Sequence, residues 1–341
     1  MNKKMILPFE TQPYCLCYHN LAFPFGVIQG NGKCCEVDVV SWMLRKFTNC
    51  VYDDSRETNK YEICLCDVWG VIDNLTTHQY INFSRATYDL LGIDILSFVK
   101  KSLALNYYIT GVYNEKYIEG KSAYNQCDYW HDYVIYGYDD EAKCFYSAGF
   151  MDDGKFKSFK ITYDVFLSSI SDNMLKNIPF NLHKFNKNAP VKFNVIRITN
   201  LLKDYINSVT REGHRLNGVY GMEANVKLKE FFKKCFDYDN NPEIDSRYSR
   251  AFMEHKFFIR LAVVSLCEKK YLNLTESQMK LIELVYQKAR LIHLLGLKIS
   301  KSKKYKLINK IIEQFEDIEK IEKDLLPIIV DTLEQNLPDS V

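Results

Sequence analysis

The chain lacks a strong charge of either sign: in its 341 residues, 45 Lys and Arg face 43 Asp and Glu, a net charge of +2. That excludes nucleic-acid binding carried by charge alone. No apolar run approaches the roughly 20 residues of a membrane span. Near the N-terminus, Met5, Ile6 and Leu7 are the only apolar residues between the two lysines and Pro8, too few for a signal-peptide core. Eleven cysteines are sparse for a disulfide framework in a chain of this length, and the odd number leaves at least one thiol unpaired. There is no internal repeat and no low-complexity segment. These absences predict a reduced, cytoplasmic protein with no membrane or nucleic-acid partner. With 47% hydrophobic residues, the chain is long enough for two cores.

The even charge hides an asymmetry. Residues 1–190 carry 19 basic and 22 acidic side chains, and residues 191–341 carry 26 and 21. The pattern changes at the same point. Residues 17–29 read as a first helix, with Pro24 expected to kink or shorten it, and residues 35–47 and 85–105 read as two more. From Asn106 to Phe159 the composition turns to Tyr, Val, Ile and Phe broken by Gly and Asp, which is strand and hairpin composition. His131–Tyr138 and Lys143–Phe150 are expected to pair across an Asp139-Asp140-Glu141-Ala142 turn. After Pro190 the strand signal stops. The remainder reads as helical: 244–269 with one apolar face, a helix capped at Thr275 and stopped at Gly296, and a last one over 303–326 ended by Pro327. The expected architecture is an α+β domain with an antiparallel sheet over residues 1–190, then an all-helical domain over 191–341.

One stretch carries the chemistry, Gln12-Pro13-Tyr14-Cys15-Leu16-Cys17-Tyr18-His19-Asn20-Leu21. It puts Cys17 where an extended segment turns into a helix, in the expected first turn, and unpaired N–H groups and the helix dipole there favour a thiolate. A cysteine nucleophile needs a base, a group that orients the base, and donors for the oxyanion. His131 opens an alternating β-type run and is the candidate base; Gln12 is the candidate oxyanion donor. A rival nucleophile is Cys35, at the start of the second expected helix with Gln29 upstream as its oxyanion partner. Both pairs compete with a plainer reading, a buried thiol and a packed histidine.

Cys17-Tyr18-His19-Asn20-Leu21, Gly30, Glu36, the run His131-Asp132-Tyr133-Val134-Ile135-Tyr136-Gly137-Tyr138-Asp139, and Phe145–Phe150 with Gly154-Lys155-Phe156 resemble papain-like cysteine acyltransferases of natural-product assembly, of the butirosin and closthioamide kind. The likeness covers roughly the first 160 residues. A weaker echo, Asp245-Ser246-Arg247 with Glu254-His255-Lys256, resembles the helical half of the same group. The resemblance implies a papain-like fold, Cys17 as nucleophile and His131 as base. It also implies an acyl donor on the phosphopantetheine of a carrier protein, a small amine acceptor, and an amide product. In one respect the chain departs from the family. The carboxylate or amide that orients the histidine belongs on the next strand, and the residue aligned there is Gly149, preceded by Ser147 and Ala148. A missing third member is therefore expected, with Asp139 and Asp152 as substitutes close in sequence but more simply read as turn residues.

The rest has plainer readings. The Cys15/Cys17 and Cys64/Cys66 pairs have the wrong spacing for a structural zinc, so no metal or other cofactor is expected. His255, on an apolar helix face, reads as a core histidine. Lys301, Lys303, Lys304 and Lys306 fall at an expected helix start, where the dipole disfavours them; they are either solvated or a docking patch. The expected activity is thioester-to-amide acyl transfer. The alternatives are a cysteine protease or amide hydrolase with the same pair, and an inactive papain-like binding protein.

Overall fold

A computed structural model describes residues 3–33, 38–53, 60–65, 76–80, 88, 90–171, 173–175, 178–189, 191–209, 218–237 and 245–336. The architecture is mixed α and β, and the chain divides into two compact units, Met1–Val39 with Val68–Val191, and Val40–Asp67 with Lys192–Val341.

The first unit is built on a seven-stranded antiparallel sheet. Its strands are β1 (Lys4–Ile6), β4 (Thr76–Tyr80), β5 (Tyr107–Asn114), β6 (Trp130–Asp139), β7 (Cys144–Phe150), β8 (Phe156–Thr162) and β9 (Asn181–Phe185). The spatial order is β4-β9-β5-β6-β7-β8, with β1 also on β6. The expected hairpin is present: Val134 faces Ala148, Tyr138 faces Phe145, and Ala142 N–H is tied to the Asp139 carboxylate in the turn. Beyond this sheet the unit holds α1 (His19–Gly32), α3 (Ile95–Ala104), capped by Asp94, and α4 (Tyr163–Ile170), capped by Thr162.

Helix α1 positions the stretch that carries Cys17. It starts two residues later than expected and runs on through Pro24, because every residue from Leu21 to Gly30 is buried and the apolar packing holds the helix together across the lost hydrogen bond. Ala22, Phe23 and Val27 lie in one core with Tyr133, Ile135, Phe145 and Phe156. Each such large side chain contributes about 1.5–3 kcal/mol on full burial. The chain before α1 folds back on that helix. An added Cβ on Gly30 would stand 2.6 Å from the Phe9 backbone, so this position needs glycine for the two backbones to come so close, while one on Gly26 would push against the Phe9 ring. The helix expected over 85–105 is interrupted: residues 91–94 form a turn and the extended Asp94 cap, and the regular helix runs only over Ile95–Ala104.

The second unit corrects the expected domain map. Residues 40–67, read from the sequence as part of the first domain, belong with the C-terminal helices, and that unit is not all-helical. It contains α2 (Val39–Lys46, largely in this unit) and an antiparallel sheet of β10 (Val219–Tyr220), β2 (Phe47–Asp53) and β3 (Lys60–Leu65). Its further helices are α5 (Val195–Ile206), α6 (Gly221–Asp237), α7 (Ser246–Glu268), α8 (Glu276–Ser302) and α9 (Ile308–Asn336). Helix α7 buries the expected face of Tyr248, Phe252, His255, Ile259, Ala262 and Leu266. The capping box at Thr275 forms, with Gln278 reaching back.

Two helix ends differ from expectation. Helix α8 passes Gly296, because that glycine is a packing contact: a Cβ there would lie 2.9 Å from Ser249 Oγ. The helix closes at Lys303, in the left-handed conformation (φ 54°). Helix α9 continues through Pro327, since Ile329, Val330 and Leu333 keep its buried stripe going. The lysine cluster consequently straddles two elements: Lys301 and Lys303 lie at the end of α8, where the dipole favours positive charge, while Lys304 and Lys306 lie at the start of the 3-10 turn Tyr305–Leu307 that leads into α9. Among the described residues, no helix is long and apolar enough to cross a membrane.

Candidate functional site

The site lies in the first unit, where the start of α1 meets the first residues of β6. Cys15, Leu16 and Cys17 are buried, and the two sulfurs are 3.8 Å apart. Tyr18 is extended (φ −140°, ψ 149°) and caps α1, its carbonyl accepting the first helical bonds from Leu21 and Ala22. Cys17 is therefore one residue before the cap and not inside the first turn. His19 opens the helix, and its ring stands edge-on to that of His131, with centroids 4.2 Å apart and planes at 83°. Its other ring neighbours are Phe150 and Phe23, and its Nδ1 is 3.6 Å from Asp132 Oδ1. Two residues of chain span at most about 7 Å, which sets the greatest separation of the Cys17 and His19 Cα atoms.

His131 has the orienting carboxylate that the alignment with Gly149 had put in doubt, and it comes from the opposite neighbour strand. Tyr113 on β5 pairs with His131, and the chain passes from Asn114 into a one-turn 3-10 helix, Glu115–Tyr117. Glu115 Oε1 is 3.2 Å from His131 Nδ1. Glu115 N–H donates to Tyr129 O, and the Asn114 side chain caps the turn by accepting from Lys116 N–H. An ionised Glu115 fixes the His131 proton on Nδ1 and leaves Nε2 as the acceptor.

The same carboxylate oxygen lies 3.1 Å from Lys121 Nζ, a lysine whose side chain is 1% exposed. Lys121 also donates to Phe150 O (2.6 Å) and stands over the Phe159 and Tyr133 rings. Burial would raise the Glu115 carboxyl, but the His131 hydrogen bond and the Lys121 charge outweigh it and hold the group below its ordinary value. Burial lowers Lys121, against the pull of Glu115 and Asp132. Asp132 is raised, first by burial and further by repulsion from Glu115, with His131 and Lys121 opposing. Gly149 belongs to this arrangement in a different role. A Cβ there would lie 3.4 Å from Lys121 Nζ and 3.2 Å from Tyr133 Cβ, so the missing side chain leaves room for the ammonium.

The proposed substitutes for the third member stand elsewhere. Asp139 is at the far end of β6, facing Cys144 and paired with Lys4. Asp152 is exposed in the turn after β7, its N–H donated to Gly120 O. The Gln12 side-chain amide donates to Phe156 O at 3.2 Å. Gln29 is buried, and its Oε1 accepts from Tyr14 N–H at 2.7 Å, which ties the cysteine segment to α1. Cys35 and Cys66 lie outside the described residues, as does the side chain of Cys64.

In the second unit, His255 is fully buried and held well below its ordinary value by burial and by Lys256, hence neutral. The other residues of the weaker echo also have structural partners. Asp245 caps α7, Glu254 pairs with Arg250, and Lys256 meets Glu322 and Tyr205.

The sequence reading missed Glu115, Lys121 and His19 as site residues. The available signal was an Asn-Glu step closing one strand of the pair whose other strand opens with His131. Compared with protein-family models and with curated proteins, the chain has no significant match.

Proposed function

We propose that the chain is a papain-like cysteine acyltransferase that forms an amide from a carrier-bound acyl thioester and a small amine, in the cytoplasmic assembly of a peptide-like natural product. The observation that carries the reading is the buried Glu115 carboxylate on His131 Nδ1, in the same unit as the Cys17 thiol before α1. In this reading His131 Nε2 takes the Cys17 proton and the thiolate attacks the thioester carbonyl. The carrier thiol leaves with the proton, and the acyl group rests on Cys17. The amine then attacks the acyl-Cys, His131 accepts its proton, and the amide departs as the thiol is restored. The acyl chain arrives on phosphopantetheine; the enzyme has no cofactor of its own, and neither nucleic acid nor membrane takes part.

Glu115 bears on the alternatives. The inactive-binding-protein reading rested on the vacancy at Gly149, and that ground is gone. The same observation favours amide hydrolysis as a second reading, because a firmly held imidazole can protonate an amine leaving group. Transfer is preferred for its agreement with the residues that resemble the acyltransferases.

The test supplies a carrier-bound acyl thioester with and without diamines or amino sugars. We expect a mass gain of one acyl group on Cys17, absent in Cys17→Ala, and more amide than free acid. Free acid with every amine, or rapid cleavage of plain peptides, would replace transfer by hydrolysis. If peptide mapping with iodoacetamide found Cys35 reactive and Cys17 inert, the nucleophile would be reassigned.

A further inference from the structure

We propose that His19, His131 and Asp132 form a binding site for a divalent first-row metal ion of the zinc type. The three side chains offer one donor atom each, and these atoms lie within 4.8 Å of one another. Two imidazoles and a carboxylate are a donor set suited to Zn²⁺ and Co²⁺. With bonds of about 2.0–2.1 Å, a tetrahedral ion holds neighbouring donors about 3.4 Å apart. One separation, His19 Nδ1 to Asp132 Oδ1 at 3.6 Å, is already near that value, and no pair requires a closure of more than about 1.5 Å.

Two further features point the same way. Glu115 on His131 Nδ1 is the carboxylate–histidine arrangement that orients a metal-binding imidazole and strengthens it as a donor, and it leaves Nε2 with its lone pair. Asp132, partly desolvated and repelled by Glu115, gains from a cation placed beside it. Three protein donors leave a fourth position for water. A metal on His131 Nε2 withholds the base from any thiol chemistry, so metal occupancy and the proposed acyl transfer exclude each other. The site itself does not rest on that reading, since it is measured with no acyl substrate present.

The experiment titrates the full chain with Co²⁺ alone, reads the visible absorption of a four-coordinate complex, and then competes with Zn²⁺. One equivalent of Co²⁺ should bind and be displaced by Zn²⁺. His19→Ala and Asp132→Asn should each weaken binding at least about tenfold, and Glu115→Gln by about ten- to a hundredfold. Cys15→Ala and Cys17→Ala should leave the spectrum unchanged. The proposal is overturned if no visible band appears, or if Asp132→Asn and His19→Ala bind as the parent does. It is equally overturned if the cysteine variants abolish the signal, which would transfer the site to the thiols. Asp132 is half-exposed, so its variant keeps the test valid should Glu115→Gln fail to fold.

Discussion

Replacing Glu115 by Gln removes one charge and keeps one acceptor, and so separates the electrostatic contribution of the carboxylate from its hydrogen bond. Two consequences follow from the contacts of Oε1 with His131 Nδ1 and Lys121 Nζ. The first is on stability. Lys121 is left buried and charged without its partner, and breaking a buried pair from one side costs about 3–5 kcal/mol. Gln still offers an oxygen to both donors, so the lower end applies, about 3 kcal/mol, a fall in Tm of roughly 6–12 °C for a unit of this size. The second is on reactivity. In the proposed mechanism the imidazolium formed when Cys17 ionises loses its counter-charge, and the rate of thiol labelling at pH 7 should fall by about 10²-fold or more, the contribution of a well-held base. The double variant Glu115→Gln/Lys121→Met removes both charges; it should recover most of the Tm while staying unreactive, because replacing a buried pair by apolar groups is near neutral. The assay is the iodoacetamide rate at Cys17 beside thermal unfolding. A double variant as stable as the parent and labelled within a few-fold of its rate would refute the role given to Glu115. Acid has a matching signature. The folded pKa of Glu115 is below its ordinary 4.5, so its stabilisation is fully present above that value and is lost as pH falls through the lower one; Glu115→Gln should lack this part of the acid loss.

Three further outcomes are expected. Gly149→Asp, on alignment alone a repair of the triad, should lower both stability and labelling, because its Cβ crowds Tyr133 and its carboxylate draws Lys121 from Glu115; a rise in activity would contradict this. Asp132→Asn should unfold at the same or a higher temperature than the parent at pH 7, since the folded pKa of Asp132 is raised and its ionised form is the costly one. That advantage should vanish as pH falls below the ordinary 3.8, and a lower Tm at pH 7 would contradict it. In the second unit, Lys256 and Glu322 form a buried pair at 2.9 Å that also involves the Tyr205 hydroxyl. Lys256→Ala should therefore cost about 3–5 kcal/mol by urea unfolding, and a change below about 1 kcal/mol would contradict the pairing.

What could be read from the sequence was what short-range periodicity determines. The hairpin from His131 to Phe150, the apolar face of α7 and the capping box at Thr275 all follow from residues close along the chain. Helix ends at Gly296 and Pro327 were misplaced because tertiary contacts, Ser249 against the glycine and a continuing buried stripe past the proline, override local stop signals. Residues 47–53 were taken as the end of a helix and the start of unassigned chain, and their strand becomes evident only through pairing with residues 60–65 and 219–220. Of the candidate site, Cys17 and His131 were proposed from their flanking residues. Glu115 was not, since a search confined to the strand after the histidine misses a carboxylate supplied by the strand before it.

The discontinuity of the second unit bears on how the chain is made. Synthesis releases β2 and β3 early, yet Tyr52 finds its partner Val219 only after the whole first unit has emerged. Until then one side of β2 is an open row of backbone donors and acceptors, a surface that recruits other strands. Truncation after residue 190 would make that exposure permanent, and such a fragment should aggregate. An expressible form of the first unit should instead leave out residues 40–67 and join the remaining parts by a flexible Gly/Ser linker, because that segment's folding partners are encoded at the other end of the message.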